Sequence, residues 1–250
     1  MVGRASCWPP PIRNLTAEKQ AEACLSDEQI QIVGATRHNP SRFLTATPLA
    51  LSLKRLRFDK RVTSRIFADN AVGLPTLYNQ VIDSDEGPDV QVFIHDDVWI
   101  DDMFVVDRVL DGLDKFDVIG VAGNRRRLPR QVSWARDPDS DAFDREHLSG
   151  AIAHGQPFGQ VSRYGTTPAS VQSLDGVFLA ARRSALRGAG VRFDPRFAFH
   201  LYDLDFCRTA IEGGLRLGTW PIVLTHVSAG NYDSPAWAAG RNAYLAKWGD

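Results

Sequence analysis

The stretch Phe93-Ile94-His95-Asp96-Asp97-Val98 decides how the rest of this chain reads. Val90–Ile94 is a mostly apolar, strand-forming run, and it leads directly into three side chains able to hold a metal. In extended backbone, residues two apart share a face, so His95 and Asp97 point one way and Asp96 the other. Two carboxylates and an imidazole at the end of a buried strand cost solvation free energy unless something compensates them. A divalent cation, or a phosphate held through one, would compensate; the plainer alternative is a strand-end turn with solvated aspartates. Mg²⁺ and Mn²⁺ take carboxylate oxygens, keep several waters and commonly bridge phosphates. One carboxylate and one distant imidazole, completed by diphosphate oxygens, would form such a site.

On both sides of this stretch the pattern alternates strand and helix. Ile30–Ala35 and residues 62–68 read as strands before it, and 117–122 as a strand after it, ending in Gly123-Asn124. Thr47-Pro48 opens a helix with Leu49, Leu53 and Leu56 on one face. Leu74, Leu77, Tyr78, Val81 and Ile82 mark a second helix. Asp101 and Asp102 can cap a third, with Met103, Val106, Val109, Leu110 and Leu113 as its stripe. Strands alternating with helices predict a mainly parallel sheet with right-handed crossovers, and such sheets bind ligands beyond the carboxyl ends of their strands. His95-Asp96-Asp97, Arg37, Asp69-Asn70 and Asn124 all fall at such ends.

Residues 125–170 change character, with Arg125-Arg126-Arg127, many Asp, Gly and Ser, and little periodicity. They read as a long, partly mobile insertion of the kind that covers active sites. Its arginines, Arg130 included, either meet a diphosphate or form a solvated basic loop. Residues 171–180 read as a strand carrying Asp175-Gly176, which marks an edge bulge or meets a polar substrate group. A helix over 204–211 stops at Gly213-Gly214, residues 215–225 form a strand ending before His226, and Ser234-Pro235 opens a last helix through Trp248. Its expected buried side is Trp237, Tyr244, Leu245 and Trp248. His226 is either a capping residue or the second protein ligand of the metal. Of Asp203 and Asp205, at a helix start, one can cap the helix while the other faces the cleft.

A chain of 250 residues with 44% hydrophobic and 24% charged residues fits an ordinary globular protein of one large domain. A net charge of −1 argues against a general nucleic-acid binder. Three widely spaced cysteines, Cys7, Cys24 and Cys207, indicate neither a disulfide framework nor a thiolate zinc site, which points to a reducing, cytoplasmic setting. Trp8-Pro9-Pro10-Pro11 falls where a signal peptide would need a continuous apolar core. No run approaches the roughly 18 apolar residues of a membrane span.

From Ile30 to Trp248 the chain resembles nucleotide-sugar glycosyltransferases of the GT-A fold, and most of all the family 2-like branch that includes streptomycin-biosynthesis-type proteins. The matching pieces come in the family's order: Asp69-Asn70, Gly73-Leu74, Tyr78-Asn79, residues 93–98, 120–124, Trp134, 174–180, Phe193-Asp194, Tyr202-Asp203-Leu204-Asp205-Phe206, His226 and Lys247-Trp248. Each piece is weak alone, and the ordered set is specific. The resemblance implies a Rossmann-like, mainly parallel α/β sheet flanked by helices, with an insertion and a C-terminal acceptor-side region. The residues themselves, with no internal repeat or linker, read as a single domain over 29–250 behind a weakly ordered lead-in over 1–28, with a short helix near 17–24.

The activity implied is metal-dependent, inverting transfer of a sugar from a nucleoside-diphosphate sugar to an acceptor hydroxyl, with Mn²⁺ or Mg²⁺ as cofactor. The resemblance makes Asp97 and His226 the metal ligands and Asp203 the catalytic base. Asp96 would contact the ribose, Asp69 the nucleobase, and Arg37, Asn79 and His95 would belong to the sugar-nucleotide site. Asp175 and Gly176 would lie near the acceptor. The chain departs from the family at His95, which replaces the usual first aspartate of the DxD motif, and at Tyr78, where an arginine often precedes the asparagine.

Two other readings use the same residues. His95-x-Asp97 with a distant His226 also spells the two-histidine, one-carboxylate set of non-haem Fe(II) oxygenases, which are typically built on all-β double-stranded helices. A sugar-nucleotide-binding domain without turnover would keep the fold and the donor site.

Overall fold

The computed structural model describes residues 26–228 and 234–249. The helix expected near 17–24, and most of the lead-in, lie outside the described residues. The chain opens with β1 (Ile30–Ala35), α1 (Pro40–Ala46), α2 (Pro48–Arg55), a 3-10 turn (Leu56–Phe58), β2 (Val62–Phe67), α3 (Leu74–Asp83) and β3 (Val90–Ile94). Thr47 caps α2 as expected, its hydroxyl accepting from Ala50 N, with Pro48 in the first turn. Helix α1 was not expected. Only Phe43 of it is buried, so it has no apolar stripe, and its signal is the Asn39 cap before Pro40.

β4 (Val98–Ile100), α4 (Val105–Leu113), β5 (Val118–Gly120) and β6 (Ala122–Asn124) follow. Helix α4 starts later than its aspartates suggested: Asp102 accepts from Phe104 N, and Met103 is 64% exposed while Val105 is buried. Asp101 is buried and accepts from Thr225 Oγ1 at 2.6 Å, so it ties β4 to the C-terminal half and is no helix cap.

The stretch expected to be an irregular insertion contains regular strands. β7 (Leu148–His154), β8 (Gln160–Gly165) and β9 (Ala169–Ser170) are followed by β10 (Ser173–Leu174), β11 (Phe178–Arg182), α5 (Arg183–Gly188), α6 (Tyr202–Glu212), β12 (Leu217–Thr219), β13 (Leu224–His226) and α7 (Pro235–Trp248). β7 and β8 form an antiparallel hairpin. Residues 125–147 remain irregular but are hydrogen-bonded around the buried Asp144, which accepts from Arg126 Nη2 at 2.7 Å, Arg126 Nε at 2.8 Å and Asn124 Nδ2 at 3.0 Å.

The described strands form two sheets, ordered β2-β1-β3-β11-β5-β12-β9 and β10-β6-β7-β13-β4, with β8 on β7. The first is less parallel than expected, because β11 lies antiparallel between β3 and β5. Two segments read as single strands are each split between sheets. Residues 171–180 give β10 to one sheet and β11 to the other, with Asp175–Val177 as the crossing. Residues 215–225 break at Trp220-Pro221 into β12 and β13, as proline removes a ladder donor. β3 is wholly buried inside the first sheet, and from its carboxyl end the chain passes directly into β4 of the second.

A metal-capable cleft at the end of the central strand

β3 ends at Ile94, and the next three residues leave the strand through a turn at Asp96-Asp97, with all three lining one cleft. His95, Asp97 and the β13 residue His226 each offer a ligand atom, all lying within 4.8 Å of one another. Among the described residues this is the one cluster of that kind. The register explains the meeting: His226 sits opposite Val98 across the β13/β4 pair, beside the chain leaving β3. Backbone bonds fix both sides, with Val227 N donating to the Asp97 carbonyl at 3.1 Å and Leu49 N, in the first turn of α2, donating to the Asp96 carbonyl at 3.1 Å.

Without a cation, Asp97 Oδ1 lies 3.3 Å from His226 Nε2. Burial opposes ionisation of Asp97, but the His226 contact and the Ser228 hydroxyl outweigh it and hold the carboxyl well below the usual carboxylate range. His226 moves the other way: burial disfavours its charge, and Asp97 more than restores it. Burial lowers the pKa of His95, so its ring is neutral and able to ligate.

His95 Nε2 is 3.0 Å from Tyr202 Oη, and that hydroxyl donates to the Gly176 carbonyl at 2.7 Å. With the tyrosine proton engaged, the hydroxyl accepts from His95 Nε2–H, which leaves Nδ1 with the free lone pair. This groups His95 with the metal-capable set, whereas the resemblance implied a place in the sugar-nucleotide site. Tyr202, which orients it, was missed because an apolar-looking helix residue gives no sign of a partner 107 positions away.

The cleft over this cluster measures about 600 Å³, within the range of small-ligand sites. Asp96 lines it, as do Asp175, Gly176 and Asp203. The crossing between β10 and β11 brings Gly176 against α6, where a Cβ would stand 2.5 Å from Tyr202 Oη and 2.9 Å from Asp203 Cβ, so only glycine fits. Gly176 N donates to Asp203 Oδ2 at 3.0 Å. Burial, then the nearby charge of Asp175, push the Asp203 carboxyl up to about 7 despite that hydrogen bond. Leu201, which leads into α6, has φ 62°, a left-handed backbone unusual for a branched residue and stored at the mouth of this site. Asp205 serves the fold instead. It is fully buried, and its Oδ1 meets Lys247 Nζ at 2.7 Å and Trp248 Nε1 at 2.9 Å, tying α6 to the end of α7.

Three expected sugar-nucleotide residues do not line this cleft. Arg37 and Asp69 lie beyond the carboxyl ends of β1 and β2, where the Asp69 N to His38 carbonyl bond of 2.9 Å joins the two loops. Asn79 accepts from Phe193 N at 2.9 Å and donates to the Phe193 carbonyl at 2.7 Å, so its amide clamps backbone. Arg125, Arg126 and Arg130 are likewise bound within their own loop, to the Glu146 carbonyl, Asp144 and Asp139 respectively. The insertion does wall the cleft, through Trp134, Phe143, His154 and Tyr164, with the Trp134 and Tyr164 rings 5.0 Å apart and nearly perpendicular. His154 escapes sequence reasoning because it sits in a stretch without periodicity.

Two sheets with flanking helices make a mixed α/β fold of the GT-A type, the fold of the first solved structure described below. No protein-family model matches the chain, and no curated protein matches it. The structure of GalNAc-T7 with UDP, GalNAc and Mn²⁺ aligns over 89% of this chain and 48% of its own, at 11% identity and a TM-score of 0.51. S. aureus TarS 1-349 in complex with UDP aligns over 80% of this chain and 60% of its own, at 12% identity and TM-score 0.47. The catalytic domain of Drosophila beta1,4galactosyltransferase 7 with xylobiose aligns over 77% and 64%, at 12% identity and TM-score 0.42. The chain thus spans about half to two thirds of the lengths of these structures. At such identities the likeness is one of fold, and it rests on the first. None of the three supports the streptomycin-biosynthesis-type branch.

Proposed function

We propose that this chain transfers a sugar from a nucleoside-diphosphate sugar to an acceptor hydroxyl, in the presence of Mn²⁺ or Mg²⁺. The observation that carries the reading is the meeting of His95, Asp97 and His226 in one cleft with Asp203. Two imidazoles and a carboxylate, with open positions toward the cleft, fit a divalent cation that keeps sites for phosphate oxygens. His95 Nδ1, Asp97 and His226 would hold it. When bound, the cation neutralises the charge that develops on the departing diphosphate.

The chain's own groups supply the rest. Asp203 Oδ takes the proton of the acceptor hydroxyl as that oxygen forms its bond to the anomeric carbon and the bond from that carbon to the diphosphate oxygen breaks. A carboxyl near pKa 7 suits that role, because it is ionised in part at neutral pH and basic enough to accept the proton. Attack from the side of Asp203 inverts the anomeric centre. In this reading Asp96, which lines the cleft, contacts the nucleoside, and Asp175 and Gly176 lie toward the acceptor. Arg37, Asp69 and Asn79 stay as secondary candidates for the nucleotide, since they do not line the cleft. The single domain over 29–250, a cytoplasmic setting and the family 2-like branch belong to the same proposal.

The donor set also suits Fe(II), but the fold here is a two-sheet α/β arrangement, and nothing favours the oxygenase reading. Asp203 in the same cleft as the metal-capable set supports an enzyme over a binding module. A thermal-shift screen of UDP-, GDP- and dTDP-sugars with and without Mn²⁺ tests the reading. Stabilisation by at least one of them, only when Mn²⁺ is present, supports it; no shift with any nucleotide sugar removes it.

A further inference from the structure

The charges facing the cleft are unbalanced. Among the described residues, Asp96, Asp97, Asp175 and Asp203 line it against one guanidinium, Arg136, which is itself paired with Asp141 at 3.4 Å, and the imidazole of His226, which is paired with Asp97 at 3.3 Å. Asp97 and His226 belong to the metal-capable set, and Asp96 is the group assigned above to the nucleoside. Asp175 and Asp203 remain, on adjoining backbone linked by the Gly176 N to Asp203 Oδ2 bond. Neither has an ion-pair partner among the described residues. A bound cation and a diphosphate would largely cancel each other, so the surplus negative charge stays on the acceptor side.

The aromatic groups point the same way independently. Phe199 is 49% exposed, with its ring stacked 5.6 Å from His95, and Trp237 lines the same cleft. Aromatic faces attract ligand cations as well as the apolar faces of rings. We propose that the acceptor carries a protonated amine beside its reacting hydroxyl, with the amine on Asp175 and the aromatic wall of Phe199 and Trp237 around it. This rests on the glycosyl-transfer reading and narrows its acceptor. Acceptors with a phosphate or carboxylate near the hydroxyl would meet like charge and be rejected.

The test uses the full chain with Mg²⁺ and no nucleotide, so it reads the acceptor side separately from the donor side. Saturation-transfer NMR titrations compare glucosamine, N-acetylglucosamine and glucosamine 6-phosphate, which share a ring and differ in charge. Glucosamine is expected to bind at least about tenfold more tightly than either of the others. Asp175→Asn should remove that preference, with a circular-dichroism melt confirming that the variant is folded. Equal or tighter binding of N-acetylglucosamine or glucosamine 6-phosphate, binding of none of the three, or a preference that survives Asp175→Asn, each overturns the proposal. The wild-type comparison decides even where the variant does not fold. Failure of the underlying reading shows elsewhere, as no stabilisation by any nucleotide sugar with Mn²⁺.

Discussion

Replacing Asp203 by asparagine should abolish transfer and, above neutral pH, make the protein more stable. The carboxyl sits in the first turn of α6 with its pKa pushed to about 7 by burial and by Asp175, whereas in the unfolded chain it would titrate near 3.8. The native state therefore binds more protons than the unfolded state between those two values. Stability falls as pH rises through that window, and the whole cost is present above pH 7. A displacement of roughly three pH units corresponds to about 4 kcal/mol, an upper bound for a group that retains some contact with solvent. Asparagine keeps an acceptor for Gly176 N and removes the charge. We expect a gain of about 1 to 4 kcal/mol at pH 8, a rise in melting temperature of at least about 2 °C for a chain of this size, fading to nothing near pH 4. Loss of the general base should lower kcat by about 100- to 10,000-fold, with donor affinity retained. The wild-type rate should fall about tenfold per unit as pH drops below 7. Calorimetric melts at pH 4, 6 and 8, beside a nucleoside-diphosphate release assay, measure both effects. Unchanged stability at pH 8, or undiminished transfer, would refute the reasoning.

Two other substitutions probe the supports of the site. Tyr202→Phe removes the hydroxyl that fixes the His95 ring and should weaken Mn²⁺ binding about 10- to 100-fold, as calorimetric titration would show, at a cost in stability of about 1 to 3 kcal/mol because the Gly176 carbonyl and His95 Nε2 lose their partner. Asp144→Asn should destabilise the cleft wall by on the order of 2 kcal/mol, discounted for the partly exposed Arg126, and speed proteolysis within 125–147. Burial opposes the charge of Asp144, but the Arg126 guanidinium outweighs it and holds the carboxyl at about 2, so its contribution is present above pH 4 and lost as pH falls toward 2. Urea denaturation at pH 7 and pH 2.5 checks this, with the difference between wild type and variant falling to less than half at the lower pH.

The first half of the fold was legible because its cues are local. Val90–Ile94 is a buried run ending in polar residues, Thr47-Pro48 is a cap, and the periodicity of Leu74 to Ile82 is helical. What stayed hidden depends on distant partners. Nothing around Val177 says that the chain leaves one sheet there and joins another antiparallel to β3, because the register of β11 is set by packing. The strands β7 and β8 lack clean alternation, since β7 is buried on nearly all positions and β8 is mostly uncovered. In the site, the spacing of His95 and Asp97 put both on one face. It could not say that His226 would close on them together with His95, or that Asp205 would be claimed by Lys247 and leave Asp203 to the cleft.

The central claim is that His95, Asp97 and His226 hold the cation through which the donor diphosphate binds. Calorimetric titration of a nucleoside-diphosphate sugar into wild type and Asp97→Ala, each with Mn²⁺ and with chelator, tests it most directly. The account predicts that wild type binds only with Mn²⁺ and that Asp97→Ala binds in neither condition, while a circular-dichroism melt shows the variant still folded without metal. Equal donor affinity in the two proteins with Mn²⁺ present would contradict it.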